Sequence, residues 1–437
     1  MSKKNFFRGT FILTCTGIVS RIIGFFYRIF LSHSIGAQGV GLFQLILPVQ
    51  NLVMALTASG IQTALSRLVA SRMALGKKKE AKDVFCLGTA SAFFLALAAS
   101  VILYKNSAFV AAELLKAPQT APLLRILVFS FPLSALHSCI SSYYFAGKQA
   151  EIPSALQLLE QIVRVCSSYV IYLVSISKNI PVTASIAAGG ALASEVAAAL
   201  AGLLIIGTKF SGTEDSVLRI KSPLTILREI FRTSLPLTLN RLLLTLLGSI
   251  EVVLIPQRLQ ASGLSSAEAL SVYGVFTGMA LPFILFPSAL TNSASVMLMP
   301  SVAEMQALGC RKRIRRITAQ SCTGCLLLGT VCALGFLLLG RLAGKILFHS
   351  PTAGTYIRTM AFICPFLYMN TALTSVLHGL GKTGTCLFHN ASGILLRISF
   401  VLFAVPLMGI RGYMYGLLLS EILVSILHIF ALYHCEQ

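Results

Sequence analysis

Apolar stretches of about twenty residues, each closed by a short polar segment, recur from one end of the chain to the other. A helix crosses a bilayer with about 20 apolar residues, and helices or closed barrels alone satisfy their backbone there. The pattern predicts spanning helices near 9–31, 41–65, 84–104, 122–145, 154–176, 184–207, 233–256, 272–298, 319–340, 356–379, 385–407 and 412–433. Turn residues mark the interruptions, among them Gly147-Lys148, Asn179-Ile180-Pro181 and Gly381-Lys382. The ten-residue alternation of an outer-membrane barrel is absent. The expected fold class is an all-α polytopic membrane protein with about twelve transmembrane helices.

Composition agrees. Hydrophobic residues make up 56% of the 437 and charged residues 11%, against about a quarter charged in a soluble domain, and the mean hydropathy is +0.83. The net charge of +21 would suit nucleic acid if it were clustered on one soluble face. Instead the lysines and arginines fall in short loops: with an inner N-terminus, twenty lie on one side and eight on the other. That bias places both termini in the cytoplasm, and the scatter of the charges over short loops argues against nucleic acid as a partner. The runs at 77–79 and 311–316 read as topology signals that touch anionic membrane lipids. No A-x-A-like site follows the first apolar run, which is read as a retained helix.

The chain repeats itself. Gly41-Leu42-Phe43 returns as Gly274-Val275-Phe276, Ala74-Leu75-Gly76 as Ala307-Leu308-Gly309, Pro132 as Pro365 and Arg164 as Arg397, each 233 positions on. Late in each half, Gly190, Ser194 and Glu195 match Gly416, Ser420 and Glu421, with the offset slipping to 226. This implies a six-helix lobe over 1–207, a cytoplasmic linker over 208–228 and a second six-helix lobe over 229–437. Six being even, both halves cross in the same sense, as in transporters that rock two lobes about a central site.

Charges inside the spans carry the chemistry, because each costs about 2.5–3.5 kcal/mol on insertion scales and faces an interior or a cavity. Arg21 and Arg28 are seven residues apart, nearly two helical turns, so they share a face of the first helix with Gly24. The seventh helix carries Asn240, Arg241 and Glu251. If these residues share a cavity, its guanidinium forks suit a phosphate or pyrophosphate. Glu160 and Arg164, four apart, are expected to pair. Glu195 and Glu421 are expected to pair inside each half with Arg164 and Arg397, although Glu160 and Glu251 also suit coupling of H+ or Na+. Prolines 132, 236, 282, 287 and 365 mark bends.

No enzyme constellation is visible. The outer loops offer only Glu113 and Glu268 as acids, the histidines lack metal-ligand spacing, and Cys322-Thr323-Gly324-Cys325 falls inside a span, where cysteines pack as small apolar residues. Val376 stands where a phosphate-binding loop ending in Gly381-Lys382-Thr383 needs its first glycine. No cofactor, metal or catalytic residue is expected.

The stretch RGTFILTCTGIVSRIIGFFYRIFLSHSIGAQGVGLFQL (8–45) resembles the opening of the stage V sporulation protein B group. That group lies in the polysaccharide-export and flippase branch of the MATE-like superfamily. SLPLTLNRLLLTLLGSIEVVLIPQRLQASGLSSAEALSVYGVFTGMALPFILFP (234–287) is similar to its seventh and eighth helices. The resemblance implies a flippase for undecaprenyl-pyrophosphate-linked sugars, in sporulating bacteria the precursor of cortex peptidoglycan. Similar MVF-type lipid II flippases carry two arginines on the first helix after a serine, which maps the head-group role onto Arg21 and Arg28. Where they have basic charge on helix 2, this chain has Gln44, Gln50 and Asn51. A multidrug and cation antiporter, and a non-transporting scaffold for cell-wall synthesis enzymes, are the alternatives.

Overall fold

The computed structural model describes residues 3–147, 149–211, 223–308 and 310–436. Side chains of 3–14, 435 and 436, and of several positions in the seventh and eighth helices including Asn240, lie outside that description. So does the centre of the expected linker, 212–222.

The described residues form helices and no strand. The long ones, in chain order, are α1 (Lys3–Ser34), α2 (Gly36–Ala74), α3 (Lys78–Lys105), α4 (Pro118–Leu127 and Ser130–Ala146), α5 (Glu151–Ser177), α6 (Ser185–Ser211), α7 (Pro223–Ala261), α8 (Ser266–Leu285 and Ser288–Ala307), α9 (Arg311–Phe348), α10 (Pro351–Gly379), α11 (Thr383–Phe403) and α12 (Ile410–Glu436). Eleven are long and apolar enough to cross a membrane, and α4 makes twelve when its two pieces, bent by 45°, count as one span. Each of the twelve expected spans falls on one of these helices. The chain is a multi-pass membrane protein.

Two compact units divide it: Met1–Tyr27 with Leu45–Leu246, and Arg28–Gln44 with Leu247–Gln437. In the first, the core gathers around Leu124, Leu127, Phe131, Ile140 and Tyr144, all buried. Helices α5 and α6 pack closely because Gly190 has no side chain: a Cβ there would lie 1.9 Å from Ser168 Oγ and 3.0 Å from the Arg164 carbonyl oxygen. At one end, Arg72 of α2 holds Glu229 of α7 at 2.6 Å and Glu80 of α3 at 3.2 Å.

The second unit packs around Tyr273, Phe276, Tyr368, Val376 and Leu377. Its α11 and α12 approach at Gly416, where a Cβ would come within 2.5 Å of Phe400. Helix α8 breaks at Pro287, and the Tyr368 hydroxyl donates to the Ile284 carbonyl just before the break at 2.7 Å. At the end of α1, His33 Nε2 stands 2.8 Å from Nδ1 of His349, the residue that closes α9.

Candidate functional site

Helix α1 presents an unpacked face. A Cβ built at Gly17 or Gly24 meets no atom within 4 Å. Arg21 and Arg28 continue that face, since 17, 21, 24 and 28 follow the three- and four-residue steps of a helix. Arg21 is exposed and lies in the first unit; Arg28 is half-buried and lies in the second. Among the described residues no carboxylate pairs with Arg28. The flank of α1 beside that face is packed: Tyr27 is buried, its hydroxyl 2.9 Å from Ser168 Oγ. Arg241, in the first unit, is exposed on α7, and its carbonyl accepts from the Thr245 hydroxyl at 2.8 Å.

Within the first unit a buried charged cluster joins α4, α5 and α6. Arg164 donates to Glu160 one turn before it, and its Nε lies 3.4 Å from Ser194 Oγ. His137 of α4 stands between two carboxylates, with Nδ1 2.9 Å from Glu195 Oε2 and Nε2 4.0 Å from Glu160 Oε2. The first contact is close without being an aligned hydrogen bond. With His137 protonated, the two carboxylates are balanced by two cations; with it neutral, the cluster carries one net negative charge in a low-dielectric setting.

The second unit repeats the framework with a different donor. Arg397 of α11 grips Glu251 of α7 through Nε at 2.7 Å and Nη2 at 3.2 Å. Tyr413 of α12 donates to the same Glu251 carboxylate at 2.8 Å. Glu421 of α12 lies 4.0 Å from Arg397 Nη1 and accepts from Asn370 Nδ2 at 2.7 Å. The Asn370 amide oxygen in turn accepts from Ser425 at 2.8 Å. Arg397 also reaches Ser420, the counterpart of Ser194, at 3.5 Å.

The structure thus brings Glu160 to Arg164, Glu251 and Glu421 to Arg397, and Glu195 to His137. Sequence reasoning passed over His137, Asn370 and Tyr413. The first two were within reach: 137 and 370 are themselves 233 apart, and each stands beside its own half's Ser-Glu carboxylate, His137 Nδ1 at 2.9 Å and Asn370 Nδ2 at 2.7 Å. Nothing in the sequence around Tyr413 marks it as a partner of Glu251, 162 positions away.

Comparison with known proteins agrees with this architecture. The chain is 29% identical over 439 residues to stage V sporulation protein B of Bacillus subtilis (strain 168), covering 98% of this chain and 83% of that protein. It is 23% identical over 367 residues to lipid II flippase MurJ of the same organism, covering 79% of this chain and 64% of that one. Among solved structures, the inward closed conformation of lipid II flippase MurJ superposes with a TM-score of 0.75 at 14% identity, over 96% of this chain and 87% of that one. The inward-facing conformation of a multidrug resistance MATE family transporter of the MOP superfamily gives 0.72 at 13%, over 98% of both chains. These two likenesses establish the fold. The model of the polysaccharide biosynthesis protein family matches residues 6–306, and with more than half of its length covered, the chain belongs to that family.

Proposed function

We propose that the chain is a flippase that carries an undecaprenyl-pyrophosphate-linked oligosaccharide or peptidoglycan precursor from the cytoplasmic to the outer leaflet by alternating access, in cell-wall or spore-cortex synthesis. The observation that carries this reading is Arg28: a half-buried guanidinium with no carboxylate partner among the described residues, one helical turn from Gly24 and its open side. An unpaired cation at membrane depth is costly. An anionic guest that accepts hydrogen bonds from the guanidinium fork offsets that cost, and a pyrophosphate is such a guest. Arg21 presents a second fork on the same helix face, and Arg241, with Asn240 beside it, a third basic position on α7. The names of the relatives, a stage V sporulation protein and a lipid II flippase, support the substrate class. The excess of basic loops on one side supports cytoplasmic termini in the bacterial cytoplasmic membrane.

Purified protein reconstituted with a fluorescent lipid-linked oligosaccharide tests the reading. Wild-type protein should move the label between leaflets, and R21A/R28A should lower the rate at least tenfold while keeping its melting temperature. Wild-type rates in that variant would remove the arginines from the substrate path. A second reading, a cation-coupled drug antiporter, draws on the titratable Glu160–His137–Glu195 group, which suits H+ as a coupling ion. Drug-stimulated proton or sodium flux in the same vesicles, with no lipid movement, would favour it.

A further inference from the structure

We propose that the second unit binds the headgroup of an anionic diacyl phospholipid in a pocket between α9, α10 and α12. The pocket has a volume of about 410 Å³. Its polar part is Arg341, Arg358, Thr355, Thr359 and the hydroxyl of Tyr415; Phe362 and Leu418 supply apolar wall. Both threonine hydroxyls donate to carbonyls of their own helix, Thr355 to Pro351 and Thr359 to Thr355. The side-chain donors the pocket offers a ligand are therefore the two guanidiniums and the Tyr415 hydroxyl. Arg358 Nε is buried without a hydrogen-bond partner, and among the described residues no carboxylate pairs with either arginine. Two cations side by side, one with an unsatisfied buried donor, call for a bound anion.

The site is built rather than accidental. A Cβ at Gly354 of α10 would come within 2.9 Å of Arg341 Cα, and one at Gly340 of α9 within 2.9 Å of Arg358 Cγ. The two glycines let the helices touch, which sets the arginine stems next to each other.

Depth and surroundings select a lipid over a free anion. Helix α9 is free of charge from Ile317 to Gly340, about 36 Å at 1.5 Å per residue, slightly more than the roughly 30 Å hydrocarbon core. Arg341 therefore lies at the headgroup layer on the face opposite the 311–316 basic run. Below it the surface is apolar and open: Leu338 is 81% exposed and Phe362 57%. A phosphate held by the arginines would leave its acyl chains lying along that surface. The proposal stands apart from the flippase reading, because none of these residues belongs to α1 or α7.

Native mass spectrometry of the full chain, with phosphatidylglycerol or phosphatidylcholine added to the micelles, tests it. Wild-type protein should retain one phosphatidylglycerol in preference to phosphatidylcholine. R341Q/R358Q should weaken that retention at least tenfold and leave phosphatidylcholine unaffected. Glycerol 3-phosphate, the soluble headgroup, should not raise the melting temperature at millimolar concentration. Equal phosphatidylglycerol retention by wild type and variant overturns the site, and stabilisation by glycerol 3-phosphate matching that by the lipid overturns the lipid as its occupant. If the double variant fails to fold, R341Q alone decides, since Arg341 is exposed: a fivefold loss supports the site and unchanged retention sinks it.

Discussion

Arg397 and Glu251 meet at two points, Nε to Oε1 at 2.7 Å and Nη2 to Oε2 at 3.2 Å, across 146 residues of sequence. Glu251 is almost fully buried, and Tyr413 takes one of its oxygens as well. Removing one member of such a pair leaves an uncompensated buried charge, which costs about 3–5 kcal/mol, whereas replacing both by apolar residues is often neutral. R397L should therefore lower the melting temperature sharply, and E251L/R397L should recover much of the loss. Thermal melts of the four proteins of the cycle in one detergent measure the coupling; additive losses would show that the pair contributes little.

A second prediction uses the repeat as its own control. Asn370 serves Glu421 as His137 serves Glu195, and asparagine does so without titrating. H137N should keep the fold, because its amide can still donate toward Glu195. H137A should cost about 1–3 kcal/mol by removing the polar group that stands 2.9 Å from that buried carboxylate. The groups facing His137 are Glu160 and Arg164 from α5 and Glu195 from α6. Melting temperatures of wild type and H137N measured from pH 5 to 8 should diverge as the histidine titrates; parallel curves would mean that it holds one charge state throughout.

How much of this was legible beforehand depended on the range of the interaction. Helix positions follow from apolar runs alone, though their ends do not. The hydropathy of the seventh span marks 233–256, whereas α7 runs from Pro223 to Ala261, about 58 Å at 1.5 Å per residue. Its polar ends extend past the hydrocarbon core, and they place Glu229 on Arg72. The 233-residue offset exposed Arg164 and Arg397 as counterparts because the residue type is the same. It hid His137 and Asn370 because a shared role is filled by different side chains. Glu251 has no counterpart, its matching position being Ile18, so its tie to Arg397 is visible only once α7 and α11 pack. The missing side chains of Gly17 and Gly24 read equally well as helix contacts or as open space until the neighbours of α1 are placed.

Two glycines of α5–α6 and α1 should respond in opposite ways. G190A pushes a Cβ into Ser168, which already bonds Tyr27. Overpacking of this kind costs about 1–3 kcal/mol, so the melting temperature should fall. G24A meets nothing within 4 Å and should melt like wild type. G24L should also stay folded, yet slow lipid flipping by filling the space beside Arg21 and Arg28. A destabilised G24L would instead mean that this face is packed in the membrane.

The arginine face of α1 also bears on what drives transport. A pyrophosphate head crossing toward the outer leaflet moves negative charge outward, and an inside-negative potential favours this by about 2.3 kcal/mol per charge per 100 mV. Arginines that moved with the head would cancel part of the charge and flatten the dependence. Proteoliposomes clamped with a potassium gradient and valinomycin should therefore flip a lipid-linked pyrophosphate faster when the interior-equivalent side is negative. R28Q, by leaving one more net negative charge on the moving complex, should flip more slowly at zero potential but gain more from each added 20 mV than wild type does. If its rate rises with voltage no more steeply than wild type's, Arg28 does not travel with the head, and the charge compensation belongs to other residues.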